Sequence, residues 1–268
     1  MTDDAPPILR NRVKEKLARG EHVYSMTVRL VRTVDIASIA YTAGFDSVYI
    51  DMEHSSFPLE SAGQICLACN HLGVTPLVRV PGLDPDFIAR VLDSGAMGII
   101  VPDVQSAEAA RAAVRAVKHA PRGSRSLAGA APQLNYRTLP PTQVVRELDD
   151  SSLVIVMVES PAGVAAVDEI AAVEGVDIIL VGANDLSVEF GIAGQMDSPR
   201  IDEAYSRVIA ACQANGKHVG IGGLGGWPDL IRRYQERGAS YVSTGNDISF
   251  LSAAAAQKRG LFADPSTR

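Results

Sequence analysis

The sequence predicts an α/β chain whose strands close into a (β/α)8 TIM barrel, and three observations predict it. Short apolar runs rich in Val and Ile alternate eight times with segments of helical length, and parallel strands buried on both faces require such continuous runs. The alternation fills about 250 residues, the usual span of this barrel. Neither half carries a glycine-rich dinucleotide fingerprint after its first strand, which counts against an open doubly wound sheet. The length suits a single domain over 1–268.

An extra N-terminal helix is expected at 8–20, where ILRNRVKEKLARG spaces Leu9, Val13, Lys16 and Leu17 for one face and closes on glycine. Its place is across one end of the barrel. Strand one is read at 22–28 with a helix at 33–43, strand two at 46–51 with a helix at 58–72, and strand three at 75–80 with a helix at 85–94. Strand four follows at 98–101 with a helix at 106–119. The rhythm breaks at 121–141, a stretch loaded with Gly, Pro, Ser and Ala. Loops of this length in compact domains are usually functional, so it is expected to be an active-site or subunit-contact loop. Strand five at 153–158, a helix at 161–172 and strand six at 177–181 make the clearest β-α-β unit. A helix at 201–215, strand seven at 217–221, a helix at 227–237, strand eight at 239–243 and a helix at 247–258 complete the set.

Composition narrows the partners. The chain is 47% apolar with a formal net charge of −6 and no block of like charge, so neither nucleic acid nor an anionic membrane surface is an expected partner. A small-molecule ligand is. No apolar run approaches a membrane span, and residues 1–7 lack the basic end and apolar middle of a signal peptide, so a cytoplasmic location is expected. Cys66, Cys69 and Cys212 cannot build a disulfide framework and read as buried thiols rather than redox or zinc chemistry.

In a barrel of this kind function sits at the carboxyl ends of the strands. Those ends carry Asp51, Glu53 and His54 after strand two, Arg79 on strand three, Glu159 after strand five and Asp185 after strand six. Each is ordinary alone: a single histidine is usually structural, and Arg79 could simply neutralise Asp51 or Glu53. Together they read as a metal site with an acid/base group and an anion clamp. Glu159 and Asp185 offer oxygen ligands suited to Mg²⁺ or Mn²⁺. Asp51 is close enough in sequence to accept the second ring N–H of His54 and raise its basicity. Arg79 presents a fixed fork to a growing enolate charge. Lys217 falls at the start of strand seven, the wrong end for an imine mechanism.

The motifs DMEHS at 51–55, LVRVP at 77–81, VMVES at 156–160, and EGVD at 174–177 running to GANDLS at 182–187 resemble the HpcH/HpaI aldolase family, and the likeness spans 20–251. The resemblance implies a phosphoenolpyruvate/pyruvate-type barrel whose last helix swaps between protomers of a homo-oligomer, a hexamer built as a trimer of dimers. It implies that Glu159 and Asp185 bind Mg²⁺, Mn²⁺ or Co²⁺, and that backbone N–H groups at Asn184 and Asp185 hold a 2-oxo acid carboxylate. It further implies that Arg79 steadies the enolate, that Asp51 and His54 handle protons through a bound water, and that Asp93 reaches a neighbouring subunit's site. The implied activity is that of a metal-dependent class II aldolase joining pyruvate to an aldehyde, or cleaving 4-hydroxy-2-oxo acids. Oxaloacetate decarboxylation or a macrophomate-synthase-like reaction would use the same enolate, and a noncatalytic binding protein on the scaffold is the alternative of another class. Three departures bear on the substrate. Met157 stands where many members have glutamine, the glycine-rich turn opening at Gly222 replaces a bulkier segment, and the loop at 121–141 carries its own Arg125, Asn135, Tyr136 and Arg137. A glycine-rich turn there is either a tight structural feature or a phosphate seat.

Overall fold

The computed structural model describes residues 8–262. Eight parallel strands close in sequence order: β1 (Val23–Val28), β2 (Ser47–Asp51), β3 (Thr75–Arg79), β4 (Gly98–Val101), β5 (Leu153–Val158), β6 (Ile178–Gly182), β7 (His218–Gly222) and β8 (Ala239–Asn246), with β8 pairing back onto β1. The fold is therefore the (β/α)8 barrel expected from the alternation. The first helices are α1 (Arg12–Ala18), α2 (Asp35–Thr42), α3 (Leu59–Leu72), α4 (Pro85–Asp93), α5 (Ala107–Val117) and α6 (Pro141–Ser151). They are followed by α7 (Pro161–Ala165), α8 (Val167–Ala171), α9 (Ala183–Glu189), α10 (Pro199–Ala214), α11 (Pro228–Glu236) and α12 (Asp247–Gly260).

Both faces of the sheet are apolar, for different reasons on each side. Along β5, Leu153, Ile155 and Met157 fill the barrel interior, while Val154, Val156 and Val158 pack outward against the helices. Each such side chain contributes about 1.5–3 kcal/mol when fully buried. The charged side chains Asp51 and Arg79 stand at the carboxyl ends of their strands, where the site forms.

Helix α1 closes the amino-terminal end. Its Val13 and Leu17 join the interior cluster, and Lys16 Nζ pairs with Asp46 Oδ2 at 2.9 Å. It begins at Arg12 rather than at 8, because the backbone N–H groups of Ile8 and Leu9 donate to Glu147 Oε2 and Asn11 caps the first turn.

The segment 121–141 does not reach the active site of its own protomer, one of the two places expected for it. It joins α5 to α6, and so lies at the amino-terminal end of the barrel, away from the strand ends that carry the acids. Gln133 pins it there by donating to the carbonyls of Leu92 and Ala96, and Leu134 packs on Val144 and Leu148 of α6. Arg125, Asn135, Tyr136 and Arg137 consequently lie outside the cavity of their own protomer. Helix α6 itself and the short α9 add to the elements expected, and the helix expected at 161–172 is two, parted at Ala166. Among the described residues no helix is long and apolar enough to cross a membrane.

Candidate active site

At the carboxyl ends of the strands a cavity of about 510 Å³ opens, with Asp51, His54, Arg79, Met157, Asn184 and Asp185 among its walls. Strand register brings the first pair together: Asp51 and Arg79 are partners across β2 and β3, both at the last position of their strands. Arg79 Nε donates to Asp51 Oδ1 at 3.0 Å and Nη2 to Oδ2 at 2.7 Å, a bidentate pair with Asp51 fully buried. Burial pushes the Asp51 carboxyl up, but the hydrogen bonds and charge of Arg79 outweigh it and hold the group below the usual carboxylate range. The remaining Arg79 nitrogen, Nη1, forms an ion pair with Glu53 Oε2 at 2.8 Å without hydrogen-bond alignment, and also approaches Met157 Sδ at 3.9 Å. Met157 thus occupies the wall beside the guanidinium, with the Tyr49 hydroxyl 4.0 Å from its sulfur.

The expected contact between Asp51 and the His54 ring does not form. Asp51 Oδ1 accepts the backbone N–H groups of Glu53 and His54, each at 3.1 Å, and Oδ2 also lies 3.2 Å from Arg29 Nε. With Arg79 these donors occupy the carboxylate, leaving it nothing to offer the imidazole. The His54 ring instead turns toward Glu53, with Nε2 3.7 Å from Oε2, and is half exposed at the cavity mouth.

Glu159 follows β5 and is buried. Its Oε1 accepts the Asp103 backbone N–H at 2.8 Å, while Oε2 is buried without a hydrogen-bond partner. Burial pushes the carboxyl up to about 7; the charges of Asp185 and Glu53 add to the rise, against the Asp103 N–H and Arg79. Gly182, at the end of β6, makes room for this oxygen: a β carbon there would stand 2.4 Å from Oε2. Because β6 passes directly into α9, Asp185 sits in the first turn of that helix, on the cavity wall.

A buried carboxylate oxygen without a donor, next to further acids, is the environment a cation relieves. Among the described residues no cluster of three His, Cys, Asp or Glu side chains stands ready to hold an ion. Glu159 and Asp185 would therefore be the protein's whole share, with water and substrate completing the set, as is common for Mg²⁺. The residues fit such an ion.

Gly222 lines the cavity at the end of β7, and the turn after it packs tightly. Gly223 has φ +80, and a β carbon on it would lie 3.1 Å from the Asn184 backbone nitrogen, so this glycine serves close packing against α9. Asp93 lies elsewhere, at the last position of α4, where Arg125 Nη2 donates to it at 2.6 Å. Sequence reasoning passed over Arg29, Thr27 and Ser243, which line the cavity from β1 and β8. The signal was present: inward positions alternate along β1, and Arg29 stands two residues beyond inward Thr27.

A family model described as HpcH/HpaI aldolase/citrate lyase matches residues 30–254. The 4-hydroxy-4-methyl-2-oxoglutarate aldolase of Hapsidospora irregularis is 43% identical over 216 residues, covering 80% of each chain. The hydroxypyruvate/pyruvate aldolase of Delftia acidovorans is 34% identical, covering 94% of this chain and 92% of its own. Among solved structures, the HpcH/HpaI aldolase from Desulfitobacterium hafniense superposes with a TM-score of 0.87 at 30% identity, covering 94% of this chain and 97% of that one.

Proposed function

The chain belongs to the HpcH/HpaI aldolase/citrate lyase family and is a carbon–carbon lyase of the aldolase kind, and from that premise we propose that it cleaves and forms 4-hydroxy-2-oxo acids through a pyruvate enolate. The observation that carries this reading is the unpartnered Oε2 of Glu159, within electrostatic reach of Asp185 and Arg79. Glu159 and Asp185 would hold a divalent ion, Mg²⁺, Mn²⁺ or Co²⁺, which when bound supplies Lewis-acid withdrawal of electrons from the 2-oxo group.

The chain's own groups account for the rest. Backbone N–H groups at Asn184 and Asp185 take the carboxylate of the 2-oxo acid. Arg79, fixed by Asp51, holds the C2 oxygen as negative charge grows on it. His54, at the cavity mouth, accepts the 4-hydroxyl proton; as the C3–C4 bond breaks, its electron pair moves toward the C2 oxygen and the carbonyl fragment leaves. Carbon C3 then regains a proton and pyruvate is released. Met157 and Gly222 shape the wall without adding charge.

Assembly belongs to the same proposal. Helix α12 exposes Ile248, Leu251 and, just beyond it, Leu261 and Phe262, which suits a helix exchanged between protomers of a hexameric trimer of dimers. Asp93, outside its own cavity, would then serve a neighbour's site. A cytoplasmic location belongs to the same proposal, and the three buried free cysteines suit it.

The test is release of pyruvate from 4-hydroxy-2-oxo acids by the Mn²⁺- or Mg²⁺-loaded enzyme, with oxaloacetate as the competing substrate. Faster cleavage of the hydroxy acids supports the aldolase; turnover of oxaloacetate alone replaces it with a decarboxylase.

A further inference from the structure

Tyr49 stands beneath the site with a hydroxyl that has almost nothing to bind. It lies on β2 two residues before Asp51, so the alternation of the strand turns it into the barrel, where it is 4% exposed and lines the cavity from below. Its ring faces the Arg79 guanidinium, whose central carbon is 5.6 Å from the ring centroid. Among the described residues the hydroxyl meets only the Met157 sulfur, at 4.0 Å. A thioether is a weak acceptor, and buried tyrosine hydroxyls ordinarily find a better one. Arg79 Nη1 approaches the same sulfur at 3.9 Å, so two donors from neighbouring strands face one atom that neither can bind well.

We propose that the Tyr49 hydroxyl is a second donor to the C2 oxygen of the 2-oxo acid, working beside Arg79 and strongest when that oxygen carries enolate charge; this rests on the lyase reading above. Both donors face the same side of the cavity, and a substrate oxygen held by Arg79 gives the phenol the acceptor it lacks. A ketone oxygen accepts modestly and an enolate oxygen strongly, so the bond gains most as the C3–C4 bond breaks. Burial pushes the phenol well above its ordinary value, so the proton is shared with the substrate and stays on Tyr49. Met157 has a part in this. An amide or carboxylate at 157 would capture the hydroxyl, whereas the thioether leaves it free for the substrate.

Tyr49→Phe removes the oxygen and keeps the ring against Arg79, so it separates the hydroxyl from the packing. In the Mn²⁺-loaded enzyme it is expected to lower the maximal rate of pyruvate methyl-proton exchange by about 100-fold, with half-saturation by pyruvate changed by less than about 3-fold. Oxalate, a planar dianion closer to the enolate than to the ketone, is expected to bind the variant about 10- to 100-fold more weakly. Circular dichroism on the same samples checks the fold. Unchanged exchange in a folded variant overturns the proposal. Lost exchange with oxalate affinity retained also overturns it, and makes Tyr49 a prop for Arg79. If the variant does not fold, a crystal structure of the wild-type enzyme with Mg²⁺ and oxalate decides: the hydroxyl is expected about 2.7 Å from an oxalate oxygen, and a hydroxyl still against the Met157 sulfur overturns the proposal. Wild-type enzyme that exchanges protons keeps the enolate reading standing whatever the variant does. Wild-type enzyme that neither exchanges nor cleaves overturns both.

Discussion

Arg79 and Asp51 meet through two parallel hydrogen bonds from adjacent strand ends, 3.0 and 2.7 Å long, with Asp51 wholly buried. The pair fixes the plane of the guanidinium before any substrate arrives. Preorganised donors of this kind commonly contribute about 3–4 kcal/mol to a transition state. Arg79→Ala should therefore lower kcat by about 10²- to 10³-fold with the fold retained, and Arg79→Lys should recover little, because an ammonium cannot present the fork. Steady-state kinetics with circular dichroism on the same samples checks both; near-normal turnover in a folded alanine variant would remove Arg79 from the mechanism.

Gly182 is the counterpart on the acidic side. A β carbon there would press within 2.4 Å of Glu159 Oε2, against a side chain with little room to move. Gly182→Ala should weaken Mn²⁺ binding by about 10- to 100-fold, the range seen when groups that orient a ligand are disturbed. Calorimetric titration reads this directly, and unchanged affinity would show that Glu159 does not hold the ion.

The Glu159 carboxyl, pushed up to about 7 by burial and neighbouring acids, links stability to pH. Its folded value lies above the unfolded one of about 4.3, so the metal-free protein is stabilised by the proton at low pH and loses that contribution as pH rises from about 4 through 7. The loss is on the order of 3 kcal/mol. Glu159→Gln should flatten this slope in melting curves without metal. Wild-type protein should also bind Mn²⁺ more weakly below about pH 7, as protons compete for the same oxygen.

Much of this was legible in the chain because the signals were local. Leu153 to Val158 reads as a strand buried on both faces, and Glu159 at its end needs no distant information to be placed. The pairing of Asp51 was legible only as two alternatives, neutralisation by Arg79 or a bond to the His54 ring. Three-residue spacing favoured the His54 ring, but Arg79 and Arg29 arrive from β3 and from beyond β1 and take the same lone pairs, a competition decided by barrel closure. The active-site half of the reading for the loop at 121–141 failed for a related reason. Helix α6 opens on two prolines and was not read as a helix, so the connection was not seen to run from one helix to the next at the far end of the barrel.

Helix α12 offers a test of assembly. Leu251 is 60% exposed there, on a helix whose last turn leads to exposed Leu261 and Phe262. Leu251→Asp should convert a hexamer to smaller species in size-exclusion chromatography with light scattering. A monomeric wild-type protein would contradict the proposed exchange of this helix.

The central claim is that Glu159 and Asp185 together seat the ion on which enolate formation depends. Exchange of pyruvate methyl protons in deuterated water, followed by proton NMR, measures that step without any choice of second substrate. Wild-type enzyme should exchange only when Mn²⁺ or Mg²⁺ is present, and Glu159→Gln and Asp185→Asn should each abolish it. Exchange that persists in either variant, or that no divalent ion supports in the wild type, would contradict the account.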